Sequence, residues 1–381
     1  MNRKTFLILG IATIILITLV SFLGYFITRK KEVPKEPKVV EVPEESQSPL
    51  PVTKEELPLI PEKKEIFSIE TSSEIFQETT TSKKEIRPLF DSELLFIDLL
   101  YPYIYVYSPQ EGIIKYLNLE DKSYKELYKS FSIYSPSVSP TRKRLLFKEN
   151  QEWKVLDFSF DEIKTIKENV TSFKWKNDDL IFFVFDEESG GRILKLSDFK
   201  KNPLLLANLN LPQAKIEIFG EMVLIWPDPL ISPSSPIFFL NLKNPKTIKL
   251  LFEKKSWPSF LVSDDQKYLF FSYEENGSLV SKLFDKNLKE IKTFNWSSLA
   301  EKCNFRKVLI CGVSLNNVSY EDWLKLKKAS KDKIVIYDPQ NKEEKEIVLN
   351  GNFDVLKPQL SPLGLIFWNR NDAKLYVVNL K

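Results

Sequence analysis

Histidine is absent from this chain of 381 residues. With it go the commonest general base and the commonest metal ligand. Ser-His-Asp and Cys-His triads therefore cannot be assembled from this sequence. Cysteine occurs only twice, and two sulfurs without histidine make a poor zinc site. An excess of one charge is also missing: 55 basic residues face 52 acidic ones, so no strong field points to nucleic acid. Glycine is scarce, whereas Phe, Ile, Leu, Lys and Tyr abound and strand formers dominate the second half. No catalytic, cofactor-binding or metal-binding constellation stands out, and none is expected.

One long apolar run is present. Phe6 to Thr28 carries no charge over 23 residues, more than the roughly 20 needed to cross a bilayer. A cleaved signal has a shorter apolar core ending at small residues, whereas this run ends in Tyr25-Phe26-Ile27-Thr28. Residues 1–28 are read as a short cytoplasmic tail and a transmembrane helix, with a cleaved signal or a buried helix as alternatives. Arg3 and Lys4 precede the run and Arg29, Lys30 and Lys31 follow it, so the positive-inside count alone does not orient it. A very short basic N-terminal tail is typical of an anchor whose N-terminus stays inside.

Residues 29–88 change character. Pro alternates with Glu and Lys, and a Ser/Thr-rich stretch follows. Such a segment has too little apolar surface to fold alone, and its prolines favour extended polyproline II. Even as a flexible coil it would span on the order of 40 Å. The expectation is a disordered spacer that lifts a domain off the membrane. Leu57-Pro58-Leu59-Ile60 and Ile66-Phe67 are small apolar islands within it.

Residues 89–381 read as short strands with polar turns. Ser139-Pro140-Thr141-Arg142-Lys143-Arg144-Leu145-Leu146-Phe147 is followed by a strand at Trp153–Phe158. Ser263-Asp264-Asp265-Gln266-Lys267-Tyr268-Leu269-Phe270-Phe271, Ser361-Pro362-Leu363-Gly364-Leu365-Ile366-Phe367 and Trp175–Phe183 have the same form. Ser139 and Ser263 are 124 residues apart, close to three units of about 41, and repeats of roughly 40–45 residues with four strands mark a β-propeller. The fold class expected is all-β, a propeller of about seven blades. The chain ends on the strand Lys374–Leu380, so a segment near Ile86–Phe90 is expected to supply the outer strand that closes the ring and protects its edge. A pair of β-sandwiches is the alternative.

The unit resembles TolB-like and WD-like propeller repeats, whose blades carry S-P-D-G-K-x-L-x-F before a strand ending in Asp; the turn glycine of that pattern is met only at Gly364. Cys303–Asp338, with Phe305, Cys311 and Tyr320-Glu321-Asp322-Trp323, resembles a blade of uncharacterised bacterial membrane-anchored propellers. That resemblance implies no activity.

Cys303 and Cys311 flank a hairpin turn at Arg306-Lys307-Val308 and would face each other across strands. A disulfide, two buried thiols, or a redox or metal role are open; a disulfide requires an oxidising compartment. Tyr101, Tyr103, Tyr105 and Tyr107 alternate onto one strand face, which suits packing between blades or a sugar or peptide. Trp226 and Asp228 open a proline-stiffened loop, and Tyr320, Asp322 and Trp323 lie in an insertion expected to hold a short helix; these five are candidate rim-binding residues. Acidic pairs such as Asp264/Asp265 sit in turns and are expected to be solvated. The function expected is a membrane-anchored extracytoplasmic module that binds or scaffolds a protein or envelope partner. The alternatives are a propeller hydrolase or lyase working without histidine, or a cytoplasm-facing sensor. The partners expected are the membrane, through the N-terminal helix, and that unidentified protein or envelope component.

Overall fold

The computed structural model describes residues 85–90, 94–187, 190–198, 200–316 and 318–380. The run Phe6–Thr28 and almost all of the Pro-rich segment lie outside the described residues. Among the described residues, no helix is long and apolar enough to cross a membrane.

Strand β1 (Ile86–Pro88) comes first, and antiparallel meanders follow. The first holds β2 (Leu95–Leu100), β3 (Tyr103–Ser108), β4 (Ile113–Asn118) and β5 (Tyr124–Lys129). The next holds β6 (Ile133–Val138), β7 (Arg144–Glu149), β8 (Glu152–Asp157) and β9 (Glu162–Ile166). The third holds β10 (Val170–Lys176), β11 (Asp179–Asp186), β12 (Gly190–Leu196) and β13 (Leu204–Leu209). A seven-stranded sheet then runs through β14 (Ala214–Phe219), β15 (Met222–Pro227), β16 (Ser234–Asn241), β17 (Asn244–Val262), β18 (Tyr268–Glu275), β19 (Ser278–Asp285) and β20 (Glu290–Thr293). Strands β21 (Cys303–Phe305), β22 (Leu309–Ser314), β23 (Asp332–Asp338) and β24 (Glu343–Ile347) make another sheet, with helix α1 (Tyr320–Leu324) between β22 and β23. Finally β25 (Val355–Ser361), β26 (Gly364–Asn369) and β27 (Lys374–Val378) pair in order, and β1 adds to the outer edge of β27 with Ile86 opposite Val378. The closing strand expected near Ile86–Phe90 is therefore present.

The seven-stranded sheet is two meanders joined through β17. Its first part, up to Ser256, pairs with β16, and the part from Ser256 onward pairs with β18. Strand β17 thus serves as outer strand of one unit and inner strand of the next.

The core lies between units rather than within any of them. Phe96 and Ile104 pack with Ile366 and Val377, joining the first meander to the last. Tyr105 and Ile114 meet Ile133 and Phe147 of the following unit, and Leu146 and Trp153 meet Phe182 and Leu194 of the one after. The same pattern continues through Phe183 with Ile225, Trp226 with Phe271, Phe270 with Val335, and Ile336 with Phe367. The sheets are covered on both faces, which is why a second strand carries an unbroken apolar run such as Leu145-Leu146-Phe147 rather than an alternating one. Two stacked sandwiches would not give this cyclic succession.

The recurring serine closes each turn. Ser139 Oγ accepts from Arg144 N at 3.1 Å, Ser263 Oγ accepts from Tyr268 N at 2.9 Å, and Ser361 Oγ accepts from Leu363 N at 3.2 Å. The left-handed slot of these turns, held by Gly364 at φ 121°, is occupied by Arg142 at 61° and Gln266 at 59°. Both use the strained position to project a side chain: Gln266 Oε1 accepts from Gly220 N at 2.8 Å, and Arg142 pairs with Asp98 at 2.5 Å. Left-handed backbone costs a side-chain-bearing residue roughly 1–2 kcal/mol, which these contacts offset.

Candidate functional site

In a meander, successive connections fall at alternate ends. The β3–β4, β5–β6, β15–β16, β22–β23 and β26–β27 connections share one end of the ring, and the turns between first and second strands share the other.

The first end carries an apolar groove of about 310 Å³ lined by Leu94, Tyr107, Pro109, Phe131, Tyr134 and Trp368. Phe131 is 71% exposed and Tyr134 59%. Gly112 makes this possible: its φ is 67°, and a Cβ there would sit 2.7 Å from the Phe131 ring. Leu230, Ile231 and Leu326 are further exposed apolar residues at this end.

The opposite end holds charge. Arg306, in the β21–β22 turn, lies 3.8 Å from Asp98 on β2 and 3.5 Å from Asp264 in the β17–β18 turn, and donates to the Leu99 carbonyl. Arg142 closes on Asp98 from the β6–β7 turn. Asp98 with Arg142 and Asp264 with Arg306 come from neighbouring units, but the Arg306–Asp98 contact joins units that are not adjacent, so the cluster lies at the mouth of a central channel. Burial pushes the Asp264 carboxyl up, against the pull of Arg306. The acidic pair Asp264/Asp265 was expected to be solvated. Both remain exposed, Asp264 with 68% of its side-chain surface in reach of water beside Arg306, while Asp265 keeps a lowered carboxyl through Ser263 and Lys267 despite some burial.

Inside the channel, inner strands β6, β17 and β25 share a bulge at a residue preceding proline. Ser135, Trp257 and Lys357 take φ of 50°, 50° and 47° before Pro136, Pro258 and Pro358, and the ladder slips register at each. A residue before proline is already restricted, so each left-handed bulge is a strained feature of the kind that re-aims a side chain. Lys174 on β10 pairs with Glu217 on β14 at 2.6 Å.

The rim candidates separate on inspection. Trp226 is buried against Phe260, ring centroids 4.8 Å apart. Tyr320 and Trp323 are buried with Trp257 and Leu299. Tyr320 donates to Glu301 Oε1 at 2.7 Å, and burial raises its hydroxyl well above the ordinary range, helped by Glu301. Trp323 Nε1 donates to both oxygens of Asp354, at 3.1 and 3.0 Å, and the Arg370 guanidinium lies 4.2 Å from its ring. All three rings are buried: Tyr320 and Trp323 hold the insertion to the ring, and Trp226 packs in the core between two units. Only Asp228 and Asp322 reach solvent, paired with Lys215 at 3.2 Å and Lys328 at 3.2 Å. The expected helix is α1, capped by Ser319 Oγ, which accepts from Asp322 N at 3.1 Å.

Of the tyrosine stripe, Tyr105 and Tyr107 pack into the neighbouring unit. Burial carries the Tyr105 hydroxyl to about 12. Cys303 and Cys311 are directly opposed on β21 and β22, with their sulfurs bonded and their Cα atoms 4.1 Å apart. Replacing both with Ser is expected to cost about 2.5 kcal/mol for so short a loop, read as the difference in urea midpoint between oxidised wild type and the variant.

Searches of protein-family models and of curated proteins return no match. Among solved structures, an uncharacterised protein from Listeria monocytogenes EGD-e is similar, with a TM-score of 0.56 at 14% identity, covering 78% of this chain and 98% of that one. A streptogramin B lyase is similar with a TM-score of 0.51 at 11% identity, covering 78% and 98%. TolB from Acinetobacter baumannii aligns over 70% and 66% at 15% identity, with a TM-score of 0.43. At these identities the likeness is one of fold, and that fold is the β-propeller.

Proposed function

We propose that this chain is a membrane-tethered propeller of about seven blades, counting the sheet through β17 as two. In this reading it is held outside the cytoplasmic membrane on a Pro-rich stalk and binds a protein or another envelope component through one rim. The observation that carries the reading is the groove at Phe131 and Tyr134. Two large aromatic side chains face water beside Pro109 and Trp368, and contiguous exposed apolar surface marks interaction sites. The apolar run Phe6–Thr28 supports the tether, and the Cys303–Cys311 bond suits an oxidising compartment.

Phe131→Ala with Tyr134→Ala is expected to abolish capture of the partner by photo-cross-linkers placed at Pro109. Folding stability should stay within about 0.5 kcal/mol, because both side chains are exposed. Undiminished cross-linking would remove the rim reading. A membrane-impermeant amine reagent applied to intact cells should label exposed lysines such as Lys125 and Lys267; labelling only after lysis would place the domain inside.

A second reading, a hydrolase or lyase, draws on the convergence of Asp98, Arg142, Asp264 and Arg306 at the channel mouth and on the fold likeness to a streptogramin B lyase. Turnover of any substrate that Asp264→Asn abolishes would favour it over the binding module.

A further inference from the structure

The outer wall of the ring exposes one strand edge unlike the rest. Each unit ends on an outer strand with one unpaired edge, and a free edge invites pairing unless charge, proline or a cover guards it. Strand β5 carries Lys125, Glu126 and Lys129, β9 carries Glu162 and Lys164, and the outer part of β17 carries Lys249 and Glu253. Strand β20 has Glu290 and Lys292, β24 has Glu343, Glu344 and Lys345, and β1 has Arg87 and Pro88. Exposed apolar side chains in these strands are flanked by charge: Ile163 stands between Glu162 and Lys164, and Ile291 between Glu290 and Lys292.

Strand β13 has no such guard. It reads Leu204-Leu205-Leu206-Ala207-Asn208-Leu209, with neither charge nor proline. Leu204 is 64% exposed and Leu205 47%. Strand β12 pairs along one edge, and among the described residues no strand or backbone hydrogen bond reaches the other. The register slip at Leu206 does not replace the missing charge, because β20 slips at Ile291 and is charged as well. Exposed Phe160 and Ile163 border β13 on one flank, where the Lys200 ammonium lies 5.7 Å from the Phe160 ring and Lys164 donates to the Lys201 carbonyl. Exposed Leu250 borders it on the other, next to Ile248, which shares a core with Leu206 and Leu209. Together these residues offer on the order of 500 Å² of apolar surface, the size of the largest patch on a typical monomer.

The edge defines its occupant. Unpaired N–H and C=O groups at alternate residues require another extended backbone, and uncharged leucines on both faces require apolar side chains. Pro203 ahead and Pro212 behind hold the run to about six residues. The chain's own residues 29–84 contain no matching segment, since no stretch of them free of both charge and proline exceeds four residues. A second copy related by a two-fold axis would pair β13 antiparallel to itself. Strand β1 enters the ring at the charged end, where Asn379 N donates to Glu85 O at 3.1 Å. Antiparallel self-pairing would therefore send the two chains toward their apolar runs from opposite ends, which does not suit two copies tethered to one membrane.

We propose that β13 is a strand-addition site whose occupant is an extended, uncharged segment of a partner protein, with apolar side chains at alternate positions. The site lies on the outer wall, apart from the groove at Phe131, and stands whether or not that groove binds a partner.

The test uses the full chain in mild detergent and a fluorescent synthetic peptide of alternating valine and threonine, closed by a lysine at each end. Anisotropy should report a dissociation constant on the order of 100 μM. Leu205→Lys should weaken binding about tenfold or more, whereas Ile291→Lys on β20 should leave it unchanged. Both side chains are exposed, so the unfolding midpoints should stay within about 2 °C of the wild type. The same peptide N-methylated at every residue should lose binding, because it cannot complete the ladder. The inference is overturned if the wild type fails to bind at about 1 mM peptide, or if Leu205→Lys or the N-methylated peptide binds as the unmodified pair does. Should Leu205→Lys fail to fold, the N-methylated peptide with the wild type decides. A photo-cross-linker at Asn208 that yields only dimers of this chain in intact cells overturns the choice of occupant in favour of a second copy.

Discussion

Lys302→Met is expected to cost the domain about 3–5 kcal/mol. Lys302, Asp332 and Asp354 are almost wholly buried, at 3%, 0% and 1% exposure. The Lys302 ammonium sits 2.6 Å from Asp332 and 2.9 Å from Asp354. Each carboxylate is then tied to backbone or side chains. Asp332 Oδ2 accepts from Val355 N at 2.7 Å and its other oxygen takes the Ser330 hydroxyl, while Asp354 holds the Trp323 indole. Removing the cation leaves two carboxylates in a dry interface between β23 and β25, with the insertion that carries α1 no longer anchored. The measurement is urea unfolding of the full chain in detergent, extrapolated linearly. A loss below about 1 kcal/mol would show that water reaches the site and that the network is not a structural lock.

The pH dependence gives a check on that account. Burial already pushes the Asp332 carboxyl up, and Lys302 opposes the push. Without Lys302 the opposition disappears and the folded-state affinity for a proton rises further. A carboxyl whose folded value exceeds its unfolded one favours the folded state at low pH and loses that contribution as pH rises through the folded value. The gap between wild type and Lys302→Met should therefore narrow on acidification. A constant gap would place the damage in packing rather than in charge.

Deleting Glu85–Phe90 is expected to be as severe. Strand β1 contributes three register pairs to β27, and Leu89 N donates to Leu375 O at 2.8 Å while Asn379 N donates to Glu85 O at 3.1 Å. Ile86 packs with Val378 and Ile336, and Leu89 and Phe90 pack with Phe96 and Ile366. At about 1 kcal/mol for each hydrogen bond and somewhat more for each apolar side chain, the loss is on the order of 5 kcal/mol. It also bares the edge of β27, so the shortened chain should aggregate on mild heating, as light scattering would register. An unchanged unfolding midpoint would mean that the ring is held by its inter-unit cores alone.

Much of the ring was legible because its signals are local. A polar turn followed by Leu-Phe-Phe can be read from a nine-residue window, and strands such as Met222–Pro227 and Lys374–Val378 fall close to where that reading puts them. The opposition of Cys303 and Cys311 follows from hairpin symmetry, another short-range property. The closing strand was inferred from a deficit, since a terminal sheet needs a fourth member. The site resisted the same treatment. Asp98, Arg142, Arg306 and Lys357 lie up to 259 residues apart, and only ring closure brings them together. Lys302, Asp332 and Asp354 looked like ordinary polar residues near turns because nothing in a linear pattern marks a buried charge whose partners lie in another unit. Trp226, Tyr320 and Trp323 stand out in the sequence, and their burial does not. Large aromatics in loops suggest contact with a ligand, and here the loops fold inward over them.

Strand β17 sets a mechanical boundary condition. It runs 19 residues as one strand from one unit into the next, bent at the Trp257 bulge, with no loop between the two units. Everywhere else around the ring a short connection could act as a joint or admit a protease, but a nick near Lys255 or Ser256 would sever two sheets at once. New chain ends made by circular permutation should be accepted at the β5–β6 or β9–β10 connections and refused within β17, as the yield of folded permutant would show.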